Sequence, residues 1–309
     1  MLKQMMILAF MCVSSFAYTE EINESLPLET VCSPNECYII EKELGSGAFG
    51  KVYAVKNSQG QKFALKTYIP NGFDGNFVNI LSNAKREFEI GQVMDHPNIM
   101  KSIEWFTGKN EVQYVLLELV EGEMIFTTPV KSTSSTKAIE ASIQLLDALK
   151  YGIEKEYIYL DLHGGNVMLT ESFETKIVDV SSFFSFDELQ YLMHKQTEKK
   201  IGQKSLREEK FNRFVSKNKD FLDSIKLSKG TLPDQITKFF LVANFTNIVD
   251  MTFDILDKSD MDRELKLELF AAISKVNWSY REDFQTGIEL PVNNYFEQVQ
   301  EVLLQALSN

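Results

Sequence analysis

Cysteine and histidine are both scarce, with three of each among 309 residues. Positive charge is short as well: 32 Lys and Arg stand against 44 Asp and Glu, giving a net charge of −12. That balance argues against general affinity for nucleic acid or anionic membrane, because both are polyanions. No histidine lies near the Cys32, Cys37 pair, so no metal site is expected there. The chain also lacks internal repeats, low-complexity tracts and a Pro-rich linker. What remains is an ordinary globular composition, 44% hydrophobic and 25% charged, long enough for one large domain or two lobes sharing a cleft.

The first residues form a segment of their own. Lys3 is followed by an apolar run from Met5 to Phe16, and Ser15-Phe16-Ala17 offers small residues where a signal peptidase cuts. The run is too short for a transmembrane helix of about 20 residues. Residues 1–17 are therefore expected to be a signal peptide, and the chain to be secreted with no stable membrane insertion afterwards. Residues 18–37 read as a linker. It ends in CSPNEC, where Pro34 and Asn35 favour a turn that brings Cys32 and Cys37 together into a small disulfide loop, with two unpaired thiols as the alternative. Asn-x-Ser/Thr sequons at Asn23, Asn244 and Asn277 are expected by chance.

From residue 38 the pattern is strand-like. YIIEKEL and KVYAV flank GSGAFG as two antiparallel strands around a glycine turn, and QKFALKTYI is a third strand. A helix is expected over residues 83–94, closed by His96-Pro97, and two strands near SIEWF and VQYVLLELV. Residues 136–151 place Ile139, Ile143, Leu146 and Leu149 at helical spacing. From Phe186 onward the chain reads as mainly helical. The mixed-charge run from Lys195 to Lys210 reads as a solvated helix face.

Several patterns carry chemistry. Gly45, Gly47 and Gly50 form G-x-G-x-x-G, leading into the strand KVYAV instead of a helix. Such a turn can lie over a triphosphate with its N–H groups close to the oxygens. Lys66, among apolar neighbours in FALK, needs a carboxylate partner, and Glu87 on the following helix is the candidate. Between two apolar stretches, YLDLHGGN sets Asp161, His163 and Asn166 together, and Asp179 follows in KIVDVSS.

These segments, with REFEIGQVMDHPNIM and YVLLELVEGE, resemble the protein kinase superfamily in its own order and close to its spacings over residues 38–182. The resemblance implies an α+β, bilobal fold: a small antiparallel N-lobe sheet with one helix over about residues 38–120, and a larger, mainly helical C-lobe over about 121–309. It implies ATP and Mg²⁺ or Mn²⁺ as cofactors. Gly45, Gly47 and Gly50 would cover the phosphates, and Lys66 would hold them, fixed by Glu87. Val52, Ala64 and Met168 would enclose the adenine, with the backbone of Glu118 and Val120 bonding its edge behind Leu117. Asp161 would orient the acceptor hydroxyl, and Asn166 and Asp179 would hold the metal.

There are departures. The usual His-Arg-Asp is Tyr159-Leu160-Asp161, the Asp-Phe-Gly is Asp179-Val180-Ser181, and no Ala-Pro-Glu follows. Gly91 stands one turn after Glu87, where the family has a large apolar residue. His163 makes the loop similar to that of aminoglycoside and choline kinases; it could donate to the transferring phosphate or fix the loop backbone. The leading expectation is an exported serine/threonine protein kinase acting on a protein substrate, in another cell or wherever ATP exists. A small-molecule phosphotransferase, a nucleotide-binding pseudokinase and a requirement for an activating partner stay open.

Overall fold

The computed structural model describes residues 29–47, 50–68, 77–197, 206–224, 233–286 and 291–308. The expected signal peptide, Asn23 and the tip of the glycine turn at Ala48 and Phe49 lie outside them. A six-stranded antiparallel sheet comes first in the chain. Its strands are β1 (Thr30–Cys32), β2 (Cys37–Gly47), β3 (Gly50–Lys56), β4 (Lys62–Tyr68), β5 (Ser102–Thr107) and β6 (Gln113–Glu118), in the order β1-β2-β3-β4-β6-β5. Helix α1 (Phe77–Val93) packs on it against β4, β5 and β6.

Strand alternation divides this sheet's faces. Leu65 joins Tyr38, Val55, Phe106 and Leu116 in an outer apolar cluster, while Ala64 and Tyr68 join the main core beneath α1. Lys66 shares the inner face with Ala64 and Tyr68, which aims its ammonium at α1.

Two expectations shift here. The helix begins at Phe77, two turns earlier than the sequence indicated. Thr30–Cys32, inside the stretch read as linker, is a strand: Cys32 pairs directly with Cys37 and the two form a disulfide. Ser33 closes that hairpin by accepting the Asn35 and Glu36 N–H groups.

The second lobe starts with β7 (Gly122–Met124) and α2 (Ser135–Glu154). The α2 helix is capped by Ser134, whose side chain accepts from the Lys137 N–H, and it buries Ile139, Leu145, Leu146 and Leu149. Strands β8 (Tyr157–Tyr159), β9 (Val167–Thr170), β10 (Thr175–Ile177) and β11 (Phe183–Ser185) follow. They form a three-stranded sheet, β10-β9-β7, and a β11-β8 pair. Then come α3 (Phe186–Thr197), α4 (Leu206–Lys217), α5 (Lys219–Ser224), α6 (Pro233–Leu256), α7 (Arg263–Thr286) and α8 (Val292–Ser308).

Among the described residues, one stretch, Gln235–Leu256 of α6, is long and apolar enough to cross a membrane. It is mostly buried, and α6 packs against α2, α3 and α7 as the central helix of this lobe. Asn244, one of the sequon asparagines, is buried in it. The sheet, α1 and the helical lobe together give the expected α+β, bilobal architecture.

Candidate active site

The site lies where β3, β4, α1 and the loops after β8 and β10 converge. The Val52–Lys66 pairing sets the glycine strand beside the lysine. Gly50 adopts φ +145°, and a Cβ there would lie 1.7 Å from the Thr67 carbonyl oxygen, so this corner accepts glycine alone. Thr67 fixes the same corner by accepting the Lys51 N–H at 3.1 Å.

Lys66 has the partner its burial required. Its Nζ lies 2.9 Å from Glu87 Oε1, and Glu87 is fully buried on α1. It also lies 3.7 Å from Asp179 Oδ1. Burial alone would weaken the Lys66 proton, but Glu87, Tyr68 and Asp179 outweigh it and hold the ammonium well above its ordinary range. The other Glu87 oxygen accepts from the buried Tyr68 hydroxyl. Tyr68 was not picked out in the sequence, although it sits two residues beyond Lys66 and so on the same strand face.

The loop after β8 carries Asp161, His163 and Asn166. Asn166 donates from Nδ2 to the Asp161 carbonyl oxygen at 2.8 Å, which closes the loop and leaves the amide oxygen for another ligand. The Val178 N–H donates to the Asn166 carbonyl oxygen at 3.0 Å, bringing the segment that carries Asp179 alongside. His163 accepts the Gly165 N–H at Nδ1 (3.1 Å) and stacks on Phe126. A neutral imidazole accepting there keeps its proton on Nε2, which lies 3.9 Å from Asp161 Oδ2. Of the two roles left open, fixing the loop backbone is the one the contacts display.

Asp179 is heavily engaged. Oδ1 accepts from Ser181 Oγ at 2.7 Å, and Oδ2 accepts from Ser182 Oγ at 3.0 Å and from Lys210 Nζ at 2.6 Å. Burial would raise its carboxyl, but Lys210 and Lys66 prevail and hold it well below the usual carboxylate range. This corrects the expectation for the charged run. Its last residue, Lys210, is not solvated but 6% exposed and directed into the site. Nothing in the sequence marked it, because no fixed spacing ties it to Asp179.

The residues expected to enclose an adenine lie around the link between the lobes. Ala64 pairs with Leu117, and Glu118 ends β6. Val120 and Val52 pack partly buried on the core. Met168 lies on β9, where Met124 pairs with it just beyond the link. The Glu118 side chain accepts from the Lys101 N–H at 2.9 Å and pairs with Lys176 at 2.7 Å, which holds the link in position.

The segment after Asp179 is short. Val180–Ser182 is a single 3-10 turn, β11 pairs at once with β8, and α3 begins at Phe186. Phe183 packs edge-on against the buried Tyr159 ring, with ring centroids 4.8 Å apart. His96 is structural: it accepts the Asn98 N–H and packs on Tyr151.

Residues 38–185 match the protein kinase domain model. Among curated relatives, CBL-interacting protein kinase 28 of Oryza sativa subsp. japonica is 29% identical over 145 residues, covering 47% of this chain and 33% of the relative. Calcium-dependent protein kinase 5 of Plasmodium berghei is 32% identical over 160 residues, covering 49% and 27%. Serine/threonine-protein kinase ppk25 of Schizosaccharomyces pombe is 33% identical over 158 residues, covering 49% and 36%. The similarity thus spans about half of this chain and between 27% and 36% of each relative's length.

Proposed function

We propose that this chain, whose residues 38–185 belong to the protein kinase superfamily, is an exported, ATP-dependent kinase that phosphorylates serine or threonine hydroxyls of a protein substrate. The observation that carries the reading is the bridging of Lys66 between Glu87 at 2.9 Å and Asp179 at 3.7 Å. A partly buried lysine fixed between two carboxylates from different elements is a preorganised cation for phosphate oxygens, and phosphoryl transfer depends mainly on such positioning. Lys66 would hold the α- and β-phosphates under the strand turn of Gly45, Gly47 and Gly50. The inner face of Val52, Ala64 and Met168 would take the adenine, with the Glu118 and Val120 backbone at its edge.

The donor set fits a divalent cation. The Asp179 carboxylate and the free amide oxygen of Asn166 are hard oxygen ligands of the kind Mg²⁺ and Mn²⁺ prefer. Bound there with ATP, such an ion would neutralise phosphate charge during transfer. Asp161, fixed through Asn166, orients the acceptor hydroxyl and takes up its proton as the oxygen attacks. Two features support export. The leading segment has signal-peptide character, and Cys32 and Cys37 are disulfide-bonded, as oxidising compartments favour. The destination is then one that contains ATP, such as the cytosol of another cell.

The test is transfer of labelled phosphate from ATP to a generic protein substrate with Mg²⁺ or Mn²⁺, run beside Asp161→Ala. Incorporation that disappears in the variant supports the reading; equal incorporation removes Asp161 from the mechanism. A small-molecule acceptor is favoured by one observation, the direct passage from Ser185 into α3, which leaves little chain for a peptide platform. Transfer to a small hydroxylated or aminated acceptor, with none to protein, would select that reading.

A further inference from the structure

Helix α4 lies across the mouth of the site. Phe211 and Phe214 pack on Phe240 of α6, with both ring centroids at 5.5 Å. Arg207 pairs with Glu188 of α3 and lies over the Phe184 ring at 4.2 Å. Held this way, the helix turns Lys210 inward, with Arg213 on the same face three residues later. The Lys210 ammonium has an acceptor for each of its donors: Asp179 Oδ2 and Ser182 Oγ at 2.6 Å, and Ser181 Oγ at 3.1 Å. Arg213 Nη1 lies 3.6 Å from Asp161 Oδ1, while its Nη2 lies 3.5 Å from Glu209.

With its donors taken, Lys210 has none to offer a phosphate. It instead holds the carboxylate oxygen that the kinase reading assigns to a metal ion. Arg213 stands against the carboxylate to which an acceptor hydroxyl must come. Lysine is a point charge on a flexible stem, so it can leave Asp179, and α4, which that contact ties to the site, is then held less firmly. The Arg213 contact is long and largely exposed, hence weak.

We infer that α4 is a built-in competitor for the site: Lys210 takes the place of the divalent cation on Asp179 and Arg213 covers Asp161, so metal and acceptor enter only as these two side chains withdraw. The inference rests on the kinase reading for the meaning of Asp179 as a metal ligand. Its test, however, needs neither nucleotide nor turnover.

Mn²⁺ alone, followed by electron paramagnetic resonance of the free ion, is titrated into the full chain and into Lys210→Met. The variant should bind about tenfold tighter, equivalent to about 1.4 kcal/mol, and adding Asp179→Ala to it should abolish the gain. Unchanged or weaker binding by Lys210→Met would overturn the inference and make Lys210 a permanent strut. As a check independent of that variant's folding, amide hydrogen exchange across 206–217 of the parent chain should quicken when saturating Mn²⁺ is added. Exchange unaffected by Mn²⁺ would equally overturn it. Absence of phosphate transfer, with the Mn²⁺ results as expected, would sink the kinase reading and leave the competition at Asp179 standing.

Discussion

Gly91 of α1 faces Ser102 of β5 so closely that a Cβ on the glycine would lie 2.1 Å from Ser102 Oγ. That hydroxyl donates to the Glu87 carbonyl oxygen at 3.3 Å, one turn back along the same helix. The family's large apolar residue would push α1 off the sheet here; this chain holds the helix by close approach instead. Gly91→Ala should therefore destabilise the fold by about 1–3 kcal/mol, the usual cost of overpacking. Ser102→Gly in the same molecule should recover part of it. Denaturant unfolding of the parent and the two variants checks this, and an unaltered midpoint for Gly91→Ala would show that α1 is not so constrained.

Tyr68 holds the second oxygen of Glu87, the first being taken by Lys66. Removing a buried hydrogen bond to a charged group costs about 1.5–3 kcal/mol. Tyr68→Phe is expected to lose stability in that range and to lower phosphate transfer, because Glu87 is then free to turn from Lys66. Loss of stability without loss of transfer would confine Tyr68 to a packing role.

Asp161→Ala should slow transfer by about 10²–10⁴, the ordinary worth of a positioned proton acceptor, while leaving nucleotide affinity within a few-fold of the parent. Lys66→Met should do the reverse and weaken nucleotide binding. Equilibrium binding of a fluorescent ATP analogue separates the two effects.

The depressed Asp179 carboxyl has a consequence for acid stability. A group whose pKa is lower folded than unfolded stabilises the fold above its unfolded value, about 3.9 for aspartate. That contribution fades as pH falls toward the folded value. The stability difference between parent and Asp179→Asn should stay constant above about pH 5 and shrink below about pH 4. A difference that widens in acid would contradict the ion pairing with Lys210 and Lys66.

Cys32 and Cys37 are five residues apart, so the closed loop is short. Chain entropy gives about 2 kcal/mol for a loop of this size. Reduction or Cys32→Ser should lower the thermal midpoint modestly and leave nucleotide binding unchanged, since the hairpin sits at the edge of the sheet, beyond β2.

Local pattern made the main sheet, α2 and most of the site legible. FALK set Lys66 among apolar neighbours in need of a carboxylate partner, and YLDLHGGN and KIVDVSS marked the two carboxylates by residue type and order. The role of His163 was not readable, because both functions use the same residue and only the fold shows Nδ1 accepting the Gly165 N–H. The strand at Thr30–Cys32 was missed because three residues carry too little periodicity, and it owes its place to pairing with β2.

Sequence by itself determined which side chains could handle a phosphate, a cation and a hydroxyl, because those chemistries need particular groups in a particular chain order. Tertiary structure alone decided what stands on them now. A lysine in a mixed-charge run has the same local signature whether solvated or buried. Only the docking of Phe211 and Phe214 against Phe240 turns Lys210 inward onto Asp179, a contact between segments thirty-one residues apart that no local period encodes.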